Sequence, residues 1–274
     1  MTDKRQGDNR PIVVCIHGSA STGGQWRLFR QALRGRCRVF TPDLVGYGSR
    51  RFRADARFSM REEADAIIEQ IGDITEPFHL IGHSYGGAVA TWFAKRYPDR
   101  VKSLIVYEPA NFNLLFREET HTEAAREIAT VAASFPAGAG GALSRWLAAR
   151  KFVTYWSGAD AWRGLRYSQR RWLASVAPKV AAEFQAIRDA KNVLSDVSDL
   201  EMPVIILCGT RTRQAARRVC ELMAKQLRDC SFLQLVNLGH MAPVTNPDKI
   251  NPLLVDYVVP APEPTAATAA RRCA

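Results

Sequence analysis

Six short apolar runs, each closed by turn residues, set the main constraint on how this chain folds. They are IVVCIH from Ile12, RVFTP from Arg38, FHLIGHS from Phe78, SLIVYEP from Ser103, VIILCG from Val204 and FLQLVN from Phe232. Runs of this length, rich in Val, Ile, Leu and Phe, read as strands. Helix-length stretches at 25–34, 60–72, 86–97 and 214–228 lie between most of them. Two parallel strands need a crossover between them, and crossover helices bury both faces of the sheet they connect. The alternation therefore predicts an α/β fold with a mainly parallel sheet of about six strands and helices on both faces. A chain of 274 residues can bury one large core, and no Pro/Gly/Ser-rich linker divides its middle.

The alternation breaks once, between Asn111 and Met202. That interval carries EAAREIATVAASF, a Gly-rich break AGAGGA, then LSRWLAARKFVTYW and YSQRRWLASVAPKVAAEFQAI, all at helical spacing. So long an insertion is expected to form a helical lid over the strand ends. The organisation expected is a core of residues 1–110 and 203–259 with a lid of residues 111–202. Residues 260–274, which include APEPTAATAARRCA, have no apolar periodicity and are expected to form a disordered tail.

The net charge of +11 raises the question of nucleic acid, but the arginines are scattered and no nucleic-acid signature accompanies them. Pairs such as Arg170-Arg171 and Arg217-Arg218 fall in helical patterns that need a solvated face, so no nucleic-acid partner is expected. The polar start MTDKRQGDNR is not a signal sequence, and no apolar run approaches a membrane span, so a soluble, cytoplasmic protein is expected. The six cysteines form no CxxC pair; Cys15 and Cys208 lie inside apolar runs and are expected to be buried free thiols. No clustered Cys/His ligands and no dinucleotide fingerprint occur, so neither a metal nor a cofactor is expected.

The strongest chemical signal is GHSYGG at 82–87, which follows one predicted strand and opens a helix. It matches G-x-S-x-G, in which small residues permit a sharp turn that projects Ser84 from the strand end above a helix N-terminus. A nucleophilic serine needs a base, and NLGHMAP places His240 in the loop after the last predicted strand. Of the other histidines, His79 lies in a strand and His121 in the lid, while His17 and His83 flank glycines as positioning residues. The loop IHGSASTGGQW after the first strand would turn backbone N–H groups toward the same cleft, so those of Ser19 and Tyr85 are the candidate oxyanion hole.

Taken in order, HGS, PDLVGYGS, GHSYGG and GHMAP resemble the α/β-hydrolase superfamily over residues 11–258. The resemblance implies a serine hydrolase but not a substrate, since similar members include esterases, thioesterases, C–C bond hydrolases, perhydrolases and lyases. Members with an aspartate nucleophile share the layout, and Ser84 argues against them. Only eleven residues precede Ile12, too few for the usual opening antiparallel hairpin, so the sheet is expected to begin at the superfamily's third strand. CRVFTPD then becomes an edge strand, blunted by Arg36 and Arg38 or covered in a homodimer.

The superfamily usually places its acid in the loop that GTRTRQ occupies, and Thr210, Arg211, Thr212 and Arg213 offer no carboxylate. The substitute expected is Glu108 in LIVYEPA, at the C-terminal end of the strand after the nucleophile helix, as in members whose acid follows the sixth strand. The alternative for Glu108 is a salt bridge to a lid arginine. Asp43 is expected to bond backbone N–H groups in its turn, while Asp196, Asp199, Glu201 and Asp229 lie at the wrong strand ends. The function expected is hydrolysis of an ester or related acyl substrate, a small apolar acyl or aryl molecule, through Ser84, His240 and Glu108. A C–C bond hydrolase or lyase, or a non-catalytic ligand-binding member, stands as the alternative.

The lid aromatics are Trp146, Trp156, Trp162, Trp172, Phe112, Phe116, Phe152 and Tyr155. Of these, Phe112, Phe152, Tyr155 and Trp156, with Trp26 from the sheet side, are the candidates for lining the pocket. Arg211 and Arg213 are expected to be either solvated loop charges or receivers of an anionic substrate group.

Overall fold

The computed structural model describes residues 8–53, 58–135, 140–190 and 194–259. Six strands, β1 Ile12–Ile16, β2 Arg38–Phe40, β3 Phe78–His83, β4 Val101–Tyr107, β5 Val204–Gly209 and β6 Cys230–Leu235, form one parallel sheet. The order is β2-β1-β3-β4-β5-β6, with each neighbouring pair in parallel register. Every residue of β1 and β3 is buried, which is why these strands read as unbroken apolar runs and not as alternating ones.

The helices divide between the two faces. In chain order, α1 is Arg27–Ala32, α2 Met60–Ile71 and α3 Tyr85–Arg96. The segment between β4 and β5 holds α4 Asn113–Glu118, α5 Glu123–Ala132, α6 Ala142–Ser157, α7 Ala159–Gly164, α8 Tyr167–Asp189 and α9 Leu194–Ser198. After it come α10 Gln214–Gln226, α11 Ala242–Thr245 and α12 Pro247–Val258. Helices α2, α3 and α10 bury Ile67, Val89, Phe93 and Val219 on one face of the sheet, against Val14, Leu80 and Leu104. Helices α1 and α12 bury Phe29, Ile250 and Leu254 on the other, against Val13, Cys15, Ile81 and Ile105.

The chain runs from β1 out to β2 and returns to lay β3 on the opposite side of β1. Ligands of open parallel sheets bind at such a reversal, beyond the carboxyl ends of the strands. Strand β2 is the edge, as expected, and the Arg38 guanidinium donates to Glu76 at 3.1 Å, a charged device that discourages further pairing. The cysteines at 15, 37, 208, 220 and 230 are free thiols. Among the described residues no helix is long and apolar enough to cross a membrane. The tail at 260–274 lies outside the described residues.

Candidate active site

The turn from β3 into α3 explains the spacing of GHSYGG. A Cβ on Gly82 would meet the Gly86 carbonyl oxygen at 2.5 Å, and one on Gly86 would meet the His17 carbonyl oxygen at 2.3 Å. Only glycine permits backbone to approach backbone so closely. Ser84 itself sits at φ 54° and ψ −121°, a strained conformation for a residue with a side chain. Tyr85 is the first residue of α3, so its N–H is one of the four that have no acceptor within the helix.

Ser84, His240 and Glu108 come together although 156 and 132 residues separate them from one another along the chain. Ser84 Oγ and His240 Nε2 are 2.9 Å apart, and His240 Nδ1 and Glu108 Oε2 are 2.8 Å apart. All three side chains are buried. Glu108 follows the last residue of β4 and takes a positive φ of 43°, so the chain turns as the strand ends. Its Oε1 accepts the Gly209 N–H at 2.8 Å, and its Oε2 also accepts the Thr212 hydroxyl. The loop that lacks a carboxylate thus holds one supplied by the neighbouring strand. Among the described residues no arginine forms a salt bridge with Glu108; the basic side chain beside it is His240.

The other polar residues around the site position these three. His83 donates from Nε2 to the His240 carbonyl at 2.9 Å, and Tyr107 donates its hydroxyl to the Gly239 carbonyl at 2.8 Å, so two bonds fix the histidine loop. Burial pushes the His83 imidazole down to about 3, with His240 beside it acting in the same direction. The ring is therefore neutral, and its Nδ1 can accept from Gln25 Nε2 at 3.2 Å. His17, held down to about 4 by burial, donates to the Gly18 carbonyl through Nδ1 and accepts the Leu44 N–H through Nε2. Asp43 accepts the Gly23 N–H at 2.7 Å, the turn-holding part expected of it. Asp196 and Asp199 pair with Lys95, away from the site.

A cavity of about 170 Å³ opens beside Ser84 and His240, lined by Ser19, Gln25, Phe152, Trp156, Leu173 and Met241 among others. The Trp156 indole stacks on the His240 imidazole with ring centroids 3.7 Å apart and planes inclined by 23°. A second, much smaller cavity lies between Ser84, Phe112, Phe152, Trp156 and Glu183. Of the five aromatics expected at the pocket, Phe112, Phe152 and Trp156 are there.

Trp26 and Tyr155 are elsewhere. Trp26 is 1% exposed and packs edge-on against Phe29 in the core below the sheet, because the turn that carries it aims the indole at α1. Tyr155, one residue before Trp156 and hence about 100° around α6, lines a separate outer groove with Arg150, Lys151, Arg163 and Arg213. Arg213 donates to the Tyr155 carbonyl at 2.6 Å and lies over its ring, and Arg211 is exposed. Neither arginine lines the cavity at Ser84.

Sequence patterns did not single out Glu63, Lys179 and Glu183, which form a buried ionic cluster at the same cleft. Lys179 Nζ donates to Glu63 Oε1 and Glu183 Oε1, each at 2.8 Å, under the rings of Tyr47, Phe58 and Tyr85. Burial pushes the Glu63 carboxyl up, against the pull of Lys179. Tyr47 donates to Glu183 Oε1 at 2.7 Å and accepts the Ala20 N–H at 3.0 Å, tying the cluster to the loop after β1. The available signal was a Lys and a Glu four apart inside an apolar helical run, which also fits a solvated pair.

The Alpha/beta hydrolase family matches the chain over residues 13–253. The (E)-2-((N-methylformamido)methylene)succinate hydrolase of Acinetobacter baylyi is 27% identical over 252 residues, covering 90% of this chain and 89% of that one. The human (Lyso)-N-acylphosphatidylethanolamine lipase is 36% identical over 114 residues, covering 40% of this chain and 33% of the lipase. The match spans between 24% and 36% of the length of that lipase and three further curated relatives. A crystal structure of a hydrolase from Pseudomonas aeruginosa superposes with a TM-score of 0.72 at 19% identity, covering 91% of this chain and 90% of that one.

Proposed function

The chain belongs to the alpha/beta hydrolase family, and on that premise we propose that it is a serine hydrolase cleaving a small, largely apolar ester or related acyl substrate. The observation that carries this reading is the unbroken hydrogen-bond chain from Ser84 Oγ through His240 to Glu108, at 2.9 Å and 2.8 Å, beside an open cavity. His240 takes the Ser84 proton at Nε2 as Oγ attacks the carbonyl carbon, and returns it to the leaving alkoxide; water then repeats the sequence on the acyl-enzyme. Glu108 receives the Nδ1–H and balances the imidazolium, while the Gly209 N–H and Thr212 hydroxyl hold its oxygens in place. The Trp156 face, stacked on His240, adds cation–π attraction when the ring is charged. The N–H groups of Ser19 and Tyr85 are the oxyanion donors, and the N-terminus of α3 favours negative charge there.

In this reading residues 111–202 act as a lid, since Phe152, Trp156 and Leu173 from α6 and α8 close the cavity over Ser84. A volume of about 170 Å³ suits short to medium acyl chains and not long ones. The Acinetobacter relative is named for a succinate, but none of the described residues lining this cavity is a Lys or Arg, which favours a neutral substrate here. The test is labelling by a fluorophosphonate probe, followed by turnover of p-nitrophenyl esters of increasing chain length. The wild type should label, Ser84→Ala should not, and turnover should decline beyond medium chains. Intact protein that fails to label where a known serine hydrolase does would overturn the proposal.

A further inference from the structure

Glu183 is an unusual residue to find against a nucleophilic serine. It is 1% exposed and lines the smaller cavity together with Ser84, Ser19, Phe152, Trp156 and Phe184. Its Oε1 is fully engaged, accepting from Lys179 Nζ at 2.8 Å and from the Tyr47 hydroxyl at 2.7 Å. Its Oε2 is buried and has no hydrogen-bond partner among the described residues. A buried carboxylate oxygen left unpaired loses the hydration it would have in water, so such an atom at a cleft marks a place where a donor is to be received.

The size of the cavity says which donor. At about 10 Å³ it has room for a single water-sized group, which suits a hydroxyl and excludes a ring or a chain. The charge balance points the same way. Lys179 already supplies a cation to Glu183, and burial favours the protonated form of Glu63, so the cluster does not require a second positive charge. The indole Nε1–H of Trp156, a residue that lines the same cavity, also lacks a partner among the described residues. A hydroxyl can donate to a carboxylate and accept from an indole; an ammonium can only donate.

Resting on the serine-hydrolase reading, we propose that the substrate carries a hydroxyl next to the scissile carbonyl, on the α or β carbon, and that Glu183 Oε2 receives it. The shared cavity limits how far that hydroxyl stands from the carbon that Ser84 attacks. Glu183 is thus a specificity residue, held in place by Lys179 and Tyr47 through one oxygen and lining the substrate's cavity.

The experiment compares phenyl glycolate with phenyl methoxyacetate, and phenyl 3-hydroxybutyrate with its 3-methoxy ether. Each pair has similar electronic reactivity but only one member donates. For at least one pair, the wild type should favour the hydroxy ester in kcat/KM by about 10- to 100-fold, the worth of a hydrogen bond to a charged acceptor. Glu183→Gln can keep an oxygen for Lys179 and Tyr47 while presenting an amide N–H to the cavity, so the ratio should fall by about 10-fold or more from its wild-type value, any preference for the smaller group being common to both proteins. Because each ratio is internal, a general loss of activity cancels. Binding of glycolanilide against methoxyacetanilide to the Ser84→Ala protein reads the same preference without turnover, and so separates failure here from failure of the serine-hydrolase reading. Equal handling within both pairs, a preference for the ammonium of phenyl glycinate, or a ratio unchanged in Glu183→Gln would overturn the proposal.

Discussion

Two buried carboxylates lie close to Ser84 and His240, Glu108 behind the histidine at the end of β4 and Glu183 from α8 at the smaller cavity, and they differ in how their oxygens are used. Glu108 has partners on both: the Gly209 N–H on one, the Thr212 hydroxyl and His240 on the other. Glu183 has two donors on one oxygen and none on the other. A fully satisfied carboxylate is fixed in orientation and suits the task of orienting a base. One anchored through a single oxygen is held by half of itself, which is the feature the proposed hydroxyl contact uses. Family resemblance points to the first kind of residue, whereas the second is visible only in the contacts of the folded chain.

The comparison also assigns stability and chemistry to different clusters, which can be broken by mutation. Lys179→Met removes the cation between Glu63 and Glu183 and leaves two buried carboxyls to share an apolar space. It should lower the unfolding free energy by about 3–5 kcal/mol, as loss of one partner of a buried ion pair does. Ser84→Ala, at the other cluster, should change it by less than about 1 kcal/mol. Denaturant titrations of the two variants check this; equal losses would mean that the clusters do not divide the work.

A smaller effect belongs to the histidines that brace the loops around Ser84 and His240. His83 and His17 titrate at about 3 and about 4 in the fold, against an ordinary value of 6.5, because burial disfavours their charged forms. Folding therefore excludes protons that the unfolded chain accepts. The stability they contribute is fully present above pH 6.5 and is lost as pH falls toward about 4 for His17 and about 3 for His83. Each contributes a slope of up to about 1.4 kcal/mol per pH unit. Glu63, pushed up by burial, works in the opposite direction, so the slope is best measured in Glu63→Gln. A flat profile between pH 6 and pH 4.5 in that background would show that these rings are not held neutral.

Much of this was legible in the sequence because a parallel sheet writes itself plainly: strands buried on both faces must be apolar throughout, and IVVCI and FHLIGH are. Ser84 and His240 were legible for a related reason, since strand ends and the glycines that shape them are local features. Glu108 could be placed at the sheet's carboxyl edge, but not its support, because a backbone N–H from Gly209 and a hydroxyl from Thr212 leave no distinctive letter in GTRTRQ. The misplacing of Tyr155 has a geometric cause. Helical spacing tells which residues of α6 share a face but not which face meets the cavity, and one residue's rotation separates Tyr155 from Trp156. Lys179 and Glu183 were unreadable because their burial depends on Glu63, 116 residues away, and on a lid whose position the local pattern does not encode.

The central claim is that Glu108 supplies the acid that the loop after β5 lacks, and the most direct test is the turnover of p-nitrophenyl acetate by Glu108→Gln. The amide keeps the shape and can still accept from Gly209 or Thr212, but it cannot balance an imidazolium. The account predicts a folded protein, checked by circular dichroism and its unfolding midpoint, with kcat lower by roughly 10² to 10⁴. A Glu108→Gln protein that is folded and turns over within threefold of the wild type would contradict it.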